Sequence, residues 1–311
     1  MKIVLLESLG ISKEEMKKFE NELKQMNHEF VAYEKTNDIS LQKEYIKDAE
    51  IVIIANMPLC GEVIESAKNL KFINIAFTGV DHVDVETAKK LNIAISNASG
   101  YSNQSVAELA ISMMLSILRN VDETQRRCRE NSTKDGLVGS ELSSKTVGII
   151  GVGQIGMRVA SLAKAFGCEV LGYRNTPKDD GINYVSLEYL LKNSDIVTLH
   201  CPANESTKNL IDKDKLAMMK SSAILINTAR GSVVNQEDLA NALNEGIISA
   251  AGIDVFDIEP PLDTNHVLLK AKNTLVTPHI AFATKESMLL RKDIVLENIK
   301  QWENNTQINV I

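Results

Sequence analysis

The sequence is poor in aromatic residues, 5% of 311, and has no excess of positive charge: 34 Lys and Arg stand against 41 Asp and Glu, a net charge of -7. A general nucleic-acid-binding role therefore lacks both the electrostatic attraction and the stacking rings it would need. Long apolar runs are missing too. The N-terminal run covers only residues 3–6 before Glu7 interrupts it, too short for a secretory signal. No later stretch approaches the ~20 apolar residues of a membrane span, so a cytoplasmic protein without a membrane partner is expected. The four cysteines, Cys60, Cys128, Cys168 and Cys201, form no C-x-x-C pair, which excludes a zinc knuckle and a thioredoxin-type motif. They are expected as reduced, mostly buried thiols. For Cys201, directly after His200, a nucleophilic role is the alternative to packing. No His/Cys/Asp cluster has metal-ligand spacing, and neither a solenoid period nor a low-complexity segment is present.

What is present is an alternation of short apolar runs with helical patterns. Candidate strands cover residues 3–6, 51–55, 72–76 and 93–96, then 146–150, 169–173, 195–199, 223–227, 250–254 and 274–277. Several are continuous Val/Ile/Leu runs, as in parallel strands covered on both faces. The class is therefore α/β, and 311 residues suit two domains. Val106, Leu109, Ala110, Met113, Met114, Ile117 and Leu118 form one apolar helical stripe. Ser105 and Glu108 are spaced as a capping box at its start. The polar segment 130–144 then separates two groups of strands. The helical stretch 284–304 is expected to return to the first group, so that residues 1–98 with 284–311 form one domain and residues 99–283 another. Joints near 98–101 and 281–284 would let such domains close.

The strongest local motif follows the strand at 146–150. Gly151, Gly153 and Gly156 make G-x-G-x-x-G, with Ile155, Val159, Leu162, Ala163 and Phe166 on one face of the helix behind it and a second apolar strand at 169–173. Gly151 permits the tight turn, Gly153 lets a pyrophosphate approach the backbone, and Gly156 lets helix and strand pack closely. The N–H groups near Gln154 and Ile155 would face the phosphates at the positive end of the helix.

Three further strand ends carry polar residues: Arg230 after 223–227, Asp254 at the end of 250–254 with Glu259 beyond it, and His279 after 274–277. In an open parallel sheet these gather at the carboxyl edge, where ligands bind. Reduction of a 2-oxo acid uses such a set: an Arg to hold the carboxylate, a His to protonate the developing alkoxide, and a carboxylate to raise the His pKa. Singly, each residue is as well explained by an ordinary surface or loop position; the shared edge favours chemistry.

The motifs GVGQIG, NTARGSVV, AGIDVFDIEPP and TPHIAFAT, with TGVDHVDVETAKKLNIAISNASGYSNQSVAE earlier, resemble the D-isomer-specific 2-hydroxyacid dehydrogenases over nearly the whole chain. The resemblance implies two Rossmann-like or flavodoxin-like parallel-sheet domains, the dinucleotide-binding domain inserted into the substrate domain. It implies catalysis by Arg230, Glu259 and His279, and substrate contact by Thr78, Gly79 and Val80 together with Arg230 and His279. Pro202, Thr207, Thr228, Ala229, Arg230, Asp254 and His279 would line the cofactor. A homodimer is implied, with the helix after Tyr101 at its interface. The expected activity is hydride transfer between NAD(P)H and a small 2-oxo acid, of glyoxylate or hydroxypyruvate type or another 2-oxo acid; the alternative is a non-catalytic, dinucleotide-sensing corepressor. Formate dehydrogenase activity, which pairs the catalytic His with Gln, is disfavoured by Glu259.

The sequence departs from the family pattern at two points. Where an acidic residue usually ends the second strand of the motif, Tyr173 is followed by Arg174, Asn175 and Thr176, with Lys178 nearby. An Arg there can pair with a ribose 2′-phosphate, so NADP is expected over NAD. The sequence ends at Ile311 without room for the regulatory domain of long phosphoglycerate dehydrogenases, so control by serine is not expected.

Overall fold

The two groups of apolar strands form two separate parallel sheets in the computed structural model, which describes residues 1–258 and 261–311. The first sheet is built from β1 (Lys2–Leu5), β2 (Glu29–Ala32), β3 (Ile51–Ile54), β4 (Phe72–Ile75) and β5 (Ala94–Asn97), in the order β2-β1-β3-β4-β5. Every neighbouring pair is parallel. The central β3 and β4 bury all of their residues, as strands covered on both faces must.

The helix Lys285–Glu303 completes this core. Its Val295, Leu296 and Ile299 pack with Ile3, Leu5, Phe19, Ile51, Ile53 and Phe72. Two buried amides fix its register: Asn74 Nδ2 donates to the Val295 carbonyl at 2.8 Å, and Asn298 Nδ2 donates to Asn74 Oδ1 at 3.0 Å. The chain thus divides into one compact unit of Met1–Ser102 with Ala283–Ile311 and a second of Asn103–Phe282, inserted into the first.

The second sheet comprises β6 (Thr146–Ile150), β7 (Glu169–Tyr173), β8 (Asn183–Tyr184), β9 (Ile196–Leu199), β10 (Ile224–Asn227), β11 (Ala250–Ile253) and β12 (Thr274–Val276). Its order is β12-β11-β10-β9-β6-β7-β8, and its pairs are again parallel. The strand order reverses between β6 and β9. That reversal leaves a crevice beyond their carboxyl ends, the place where doubly wound sheets bind ligands.

The structure corrects several local expectations. The striped helix runs Asn103–Leu118, so Ser105 lies buried inside the first turn and cannot act with Glu108 as a capping box. The helix Gln154–Ala165 buries Gly156, Val159, Ala160 and Ala163, whereas Phe166 is its C-cap residue and exposed, because it falls past the last turn. Of the four free thiols only Cys168 and Cys201 are buried; Cys60 and Cys128 are exposed. Burial pushes the Cys201 thiol up to about 11, and its side chain belongs to the apolar core, which fits packing and not nucleophilic attack. No helix is long and apolar enough to cross a membrane, and no group of metal-ligating side chains occurs among the described residues.

Candidate active site

The glycine loop sits at the reversal point. Gly151 has φ +93°, and a Cβ there would lie 2.4 Å from the Cys201 nitrogen and 2.6 Å from the His200 carbonyl carbon. Only glycine lets the loop after β6 turn against the end of β9. A Cβ on Gly156 would stand 2.4 Å from the Gly151 carbonyl oxygen, so this residue sets the approach of helix to strand. Gly153 is different: a Cβ there would meet nothing within 4 Å, and its backbone is ordinary extended chain. Its missing side chain leaves open space in front of the first turn of the helix. That turn receives no side-chain cap, and its leading N–H groups have no partner within the helix. Open space, uncapped donors and a positive helix end fit the pyrophosphate of a dinucleotide.

Neighbouring groups hold the loop. Gln154 accepts from Asn103 Nδ2 at 2.7 Å; Ile155 is half-buried. His200 Nε2 and Thr198 Oγ1 are 2.9 Å apart, and burial lowers the imidazole to about 3, so the ring is neutral. In the loop after β9, Thr207 Oγ1 donates to the Pro202 carbonyl at 2.6 Å and accepts from the Asn204 N–H at 2.9 Å. At the end of β7, Arg174 Nη1 donates to the Val152 carbonyl at 2.8 Å, and Asn175 is exposed.

The polar strand ends of β10, β11 and β12 come together at the same edge. After β10, Asn227 shapes the turn: its Oδ1 accepts from the Ala229 N–H at 3.1 Å and its Nδ2 donates to the Arg230 carbonyl at 2.9 Å. Arg230 is half-buried and its Nη1 donates to the Ala229 carbonyl at 2.9 Å. Thr228 is buried with its Oγ1 lacking a partner among the described residues, an orphan that a bound polar group would satisfy. Gly231 presses this turn onto the next one, since a Cβ would lie 2.0 Å from the Phe256 carbonyl carbon.

Asp254, fully buried after β11, organises the turn that carries His279. Its Oδ1 accepts from Thr277 Oγ1 at 2.5 Å and from the Ile280 N–H at 2.8 Å, and its Oδ2 accepts from the Ala281 N–H at 2.9 Å. The His279 N–H donates to the Asp254 carbonyl at 2.8 Å. This network holds His279 at φ +56°, a left-handed conformation costly for a non-glycine residue. The Phe282 ring meets the imidazole edge-on, 5.2 Å between centroids. Burial raises the Asp254 pKa, against the pull of its three donors and of His279. Sequence reasoning placed Asp254 on the cofactor wall; it did not show that both carboxylate oxygens are engaged by the His279 turn. Asn227 and Thr277 it missed entirely, since an amide or hydroxyl at a strand end carries no motif. Glu259 lies outside the described residues.

In the first unit, Thr78, Gly79 and Val80 form the turn after β4. The Thr78 carbonyl accepts from Asn97 Nδ2 at 2.7 Å, and Thr78 Oγ1 is buried without a partner among the described residues. Gly79 and Val80 are half-buried.

Comparison with known proteins shows the family. The family model described as D-isomer specific 2-hydroxyacid dehydrogenase, NAD binding domain, matches residues 111–281. The chain is 35% identical to a hydroxypyruvate reductase of Blautia hydrogenotrophica, over 91% of this chain and 92% of that one. Among solved structures, an acyclic imino acid reductase in complex with NADPH and D-Arg superposes with a TM-score of 0.92 at 28% identity, covering 100% of both chains. The NAD-dependent formate dehydrogenase of Staphylococcus aureus in complex with NAD superposes with a TM-score of 0.89 at 30% identity, covering 100% of this chain and 99% of that one. The corepressor alternative finds no support in these similarities.

Proposed function

The chain belongs to the D-isomer-specific 2-hydroxyacid dehydrogenase family, and we propose that within it the protein reduces a small 2-oxo acid of hydroxypyruvate or glyoxylate type, with NADPH preferred over NADH. The observation that carries the cofactor preference is Arg174, a cation at the end of β7 where a carboxylate would grip the ribose hydroxyls of NAD. A carboxylate there repels a 2′-phosphate, whereas a guanidinium pairs with it. The substrate class is supported by the hydroxypyruvate reductase relative and by an Arg and a His at the carboxyl ends of β10 and β12 in one sheet.

Gly151, Gly153 and Gly156 with the first turn of the helix Gln154–Ala165 would hold a nicotinamide dinucleotide, which when bound would supply the hydride. Arg230 holds the substrate carboxylate in a planar fork and polarises the neighbouring carbonyl. His279 Nδ1 or Nε2 donates the proton that the carbonyl oxygen takes up, with Glu259 as its carboxylate partner. Asp254 acts on the backbone of the His279 turn. The backbone groups of Thr78, Gly79 and Val80 are the first unit's candidates for contact with the carboxylate.

A turnover panel of 2-oxo acids, each with NADH and NADPH, tests this reading. Hydroxypyruvate and glyoxylate should be reduced fastest, and NADPH should be the more efficient donor. His279→Ala should lower turnover about a hundredfold or more while cofactor affinity holds. Arg230→Lys keeps the charge but loses the fork; normal efficiency in that variant overturns its assignment.

A homodimer is part of the same proposal. The helix Val121–Arg129 buries none of its side chains, and Val121 and Val138 are 46% and 92% exposed. Beside them a cavity of about 600 Å³, lined by Leu118, Val121 and Val138, opens at the amino edge of the second sheet. A second copy would cover these apolar groups. Light scattering should give twice the chain mass, and Val121→Asp with Val138→Asp should shift it toward the monomer.

A further inference from the structure

The turn after β4 leaves its backbone donors open. Among the described residues, no acceptor of the chain receives the N–H groups of Thr78, Gly79 or Val80. Successive unpaired N–H donors attract an anion. The carbonyl of Thr78 is treated differently. Asn97, at the end of the neighbouring β5, donates to it through Nδ2 at 2.7 Å. A peptide unit is planar and trans, so the Thr78 carbonyl and the Gly79 N–H point in opposite directions. Tying the carbonyl to Asn97 therefore turns the Gly79 N–H away from the end of β5. It also takes the electronegative atom of that peptide out of an anion's way.

Asn97 is itself held by three more hydrogen bonds. Its Oδ1 accepts from the Ser99 N–H at 3.2 Å, its carbonyl accepts from Asn298 Nδ2 at 2.9 Å, and its N–H donates to the Asn309 carbonyl at 3.0 Å. Asn298 is fully buried; its Oδ1 accepts from Asn309 Nδ2 at 2.8 Å, and its Nδ2 also donates to Asn74 Oδ1 at 3.0 Å. The Asn97 amide has one workable orientation. Exchanging its O and N would set an oxygen against the Thr78 carbonyl and an NH2 against the Ser99 N–H. The helix Lys285–Glu303 and the segment 307–310 are thereby coupled to the direction of one peptide N–H.

We propose that Asn97 is a positioning residue for the substrate: by fixing the Thr78 carbonyl it aims the Gly79 N–H at the substrate carboxylate. This rests on the reading of the turn after β4 given above and assigns a residue beyond it. The simpler role, a strut between β5 and the helix Lys285–Glu303, would lower stability and leave ligand affinity alone.

Calorimetric titration with oxamate, a 2-oxo acid mimic that accepts no hydride, separates the two roles in protein saturated with its preferred reduced cofactor. Asn97→Asp keeps the size and the acceptor for Ser99, but as a carboxylate it cannot donate to Thr78. At pH 8 oxamate should bind about tenfold more weakly, the worth of one hydrogen bond to a charged group. A carboxyl buried against a carbonyl takes up its proton more readily than an exposed one, and as an acid it donates an O–H again. At pH 5.5 the affinity should therefore return most of the way to that of the parent at the same pH. The partners of Asn97 are amides and backbone groups, none of them titratable, so this recovery would belong to the new carboxyl. Asn97→Ser, neutral and too short to reach Thr78, should bind oxamate about tenfold more weakly at both pH values, and it decides the matter if the Asp variant does not fold. Cofactor affinity should stay within about twofold in both variants. Parent-like oxamate affinity in Asn97→Ser overturns the proposal in favour of the strut. An equal loss of oxamate and cofactor affinity, or no recovery in Asn97→Asp at pH 5.5, overturns it as well. Gly79→Pro, which removes the N–H itself, is the control. If it binds oxamate as the parent does, the reading of the turn has failed. If it loses oxamate while both Asn97 variants bind normally, only the present proposal has.

Discussion

Each of the two sheets has a point where the strand order reverses, and the two crevices are finished in opposite ways. In the first unit the reversal lies between β1 and β3. There the Glu7 carboxylate, just past β1, reaches across to the turn after β3 and accepts three backbone N–H groups, from Ala55 at 2.9 Å, Asn56 at 2.7 Å and Met57 at 2.6 Å. In the second unit the reversal lies between β6 and β9, and no side chain caps the helix that begins there. Both crevices offer converging backbone donors. One is filled by the chain's own anion and the other has no side chain of the chain on its helix donors, as the proposed pyrophosphate site requires. The same topology therefore gives a structural joint or a ligand site, depending on which side chain stands in the crevice.

The most direct way to break this contrast is to give the second crevice a carboxylate of its own. Gly153→Glu introduces one at a position where a Cβ meets nothing within 4 Å, so the fold should be kept. The carboxylate would compete for the helix N–H groups and repel a pyrophosphate. Cofactor affinity should fall about a hundredfold or more, roughly 3 kcal/mol, as read by quenching of protein-bound NADPH fluorescence. A dissociation constant within threefold of the parent would mean that the open space at Gly153 does not serve the phosphates.

The contrast also shows what the sequence could reveal. The ligand-binding crevice is written in glycine: three in fixed spacing between an apolar strand and an amphipathic helix leave few other readings. The filled crevice is written in a single glutamate, which in the sequence only ends an apolar run. Its partners are backbone N–H groups some 50 positions away, and no local pattern encodes them. Strands follow the same logic. The buried strands were legible because covered parallel strands are continuous apolar runs. β2, with exposed Glu29 and Ala32, and the two-residue β8 were not, because edge strands bury too little to carry a pattern. Arg230, Asp254 and His279 were legible as strand-end residues. That Asp254 holds the turn of His279 depends on a register between β11 and β12 that only the folded chain displays.

Removing the internal anion tests the other half of the comparison. Glu7→Gln leaves one acceptor of similar size but takes away the charge that strengthens all three hydrogen bonds. Urea unfolding should show a loss of about 2 kcal/mol, within the range for hydrogen bonds to a buried charged group. Cofactor affinity should not move, because the glycine loop belongs to the other unit. An unchanged midpoint would show that Glu7 is replaceable as the filler of its crevice.

The smallest effect concerns the neutral His200 beside the open crevice. His200 stands beside Gly151, and burial lowers its pKa from 6.5 to about 3. The sign follows from proton binding: between these values the unfolded chain takes up a proton that the folded chain refuses, so stability is fully present above pH 6.5 and falls as the pH drops toward about 3. Each pH unit of that window costs about 1.4 kcal/mol. At pH 5.5 the loss should be about that size, measurable as a lower urea midpoint than at pH 7.5. His200→Gln, which cannot take up the proton, should remove this component of the acid sensitivity while carboxylate contributions at lower pH persist. If the variant loses stability between pH 7.5 and 5.5 as the parent does, His200 is not the group that titrates.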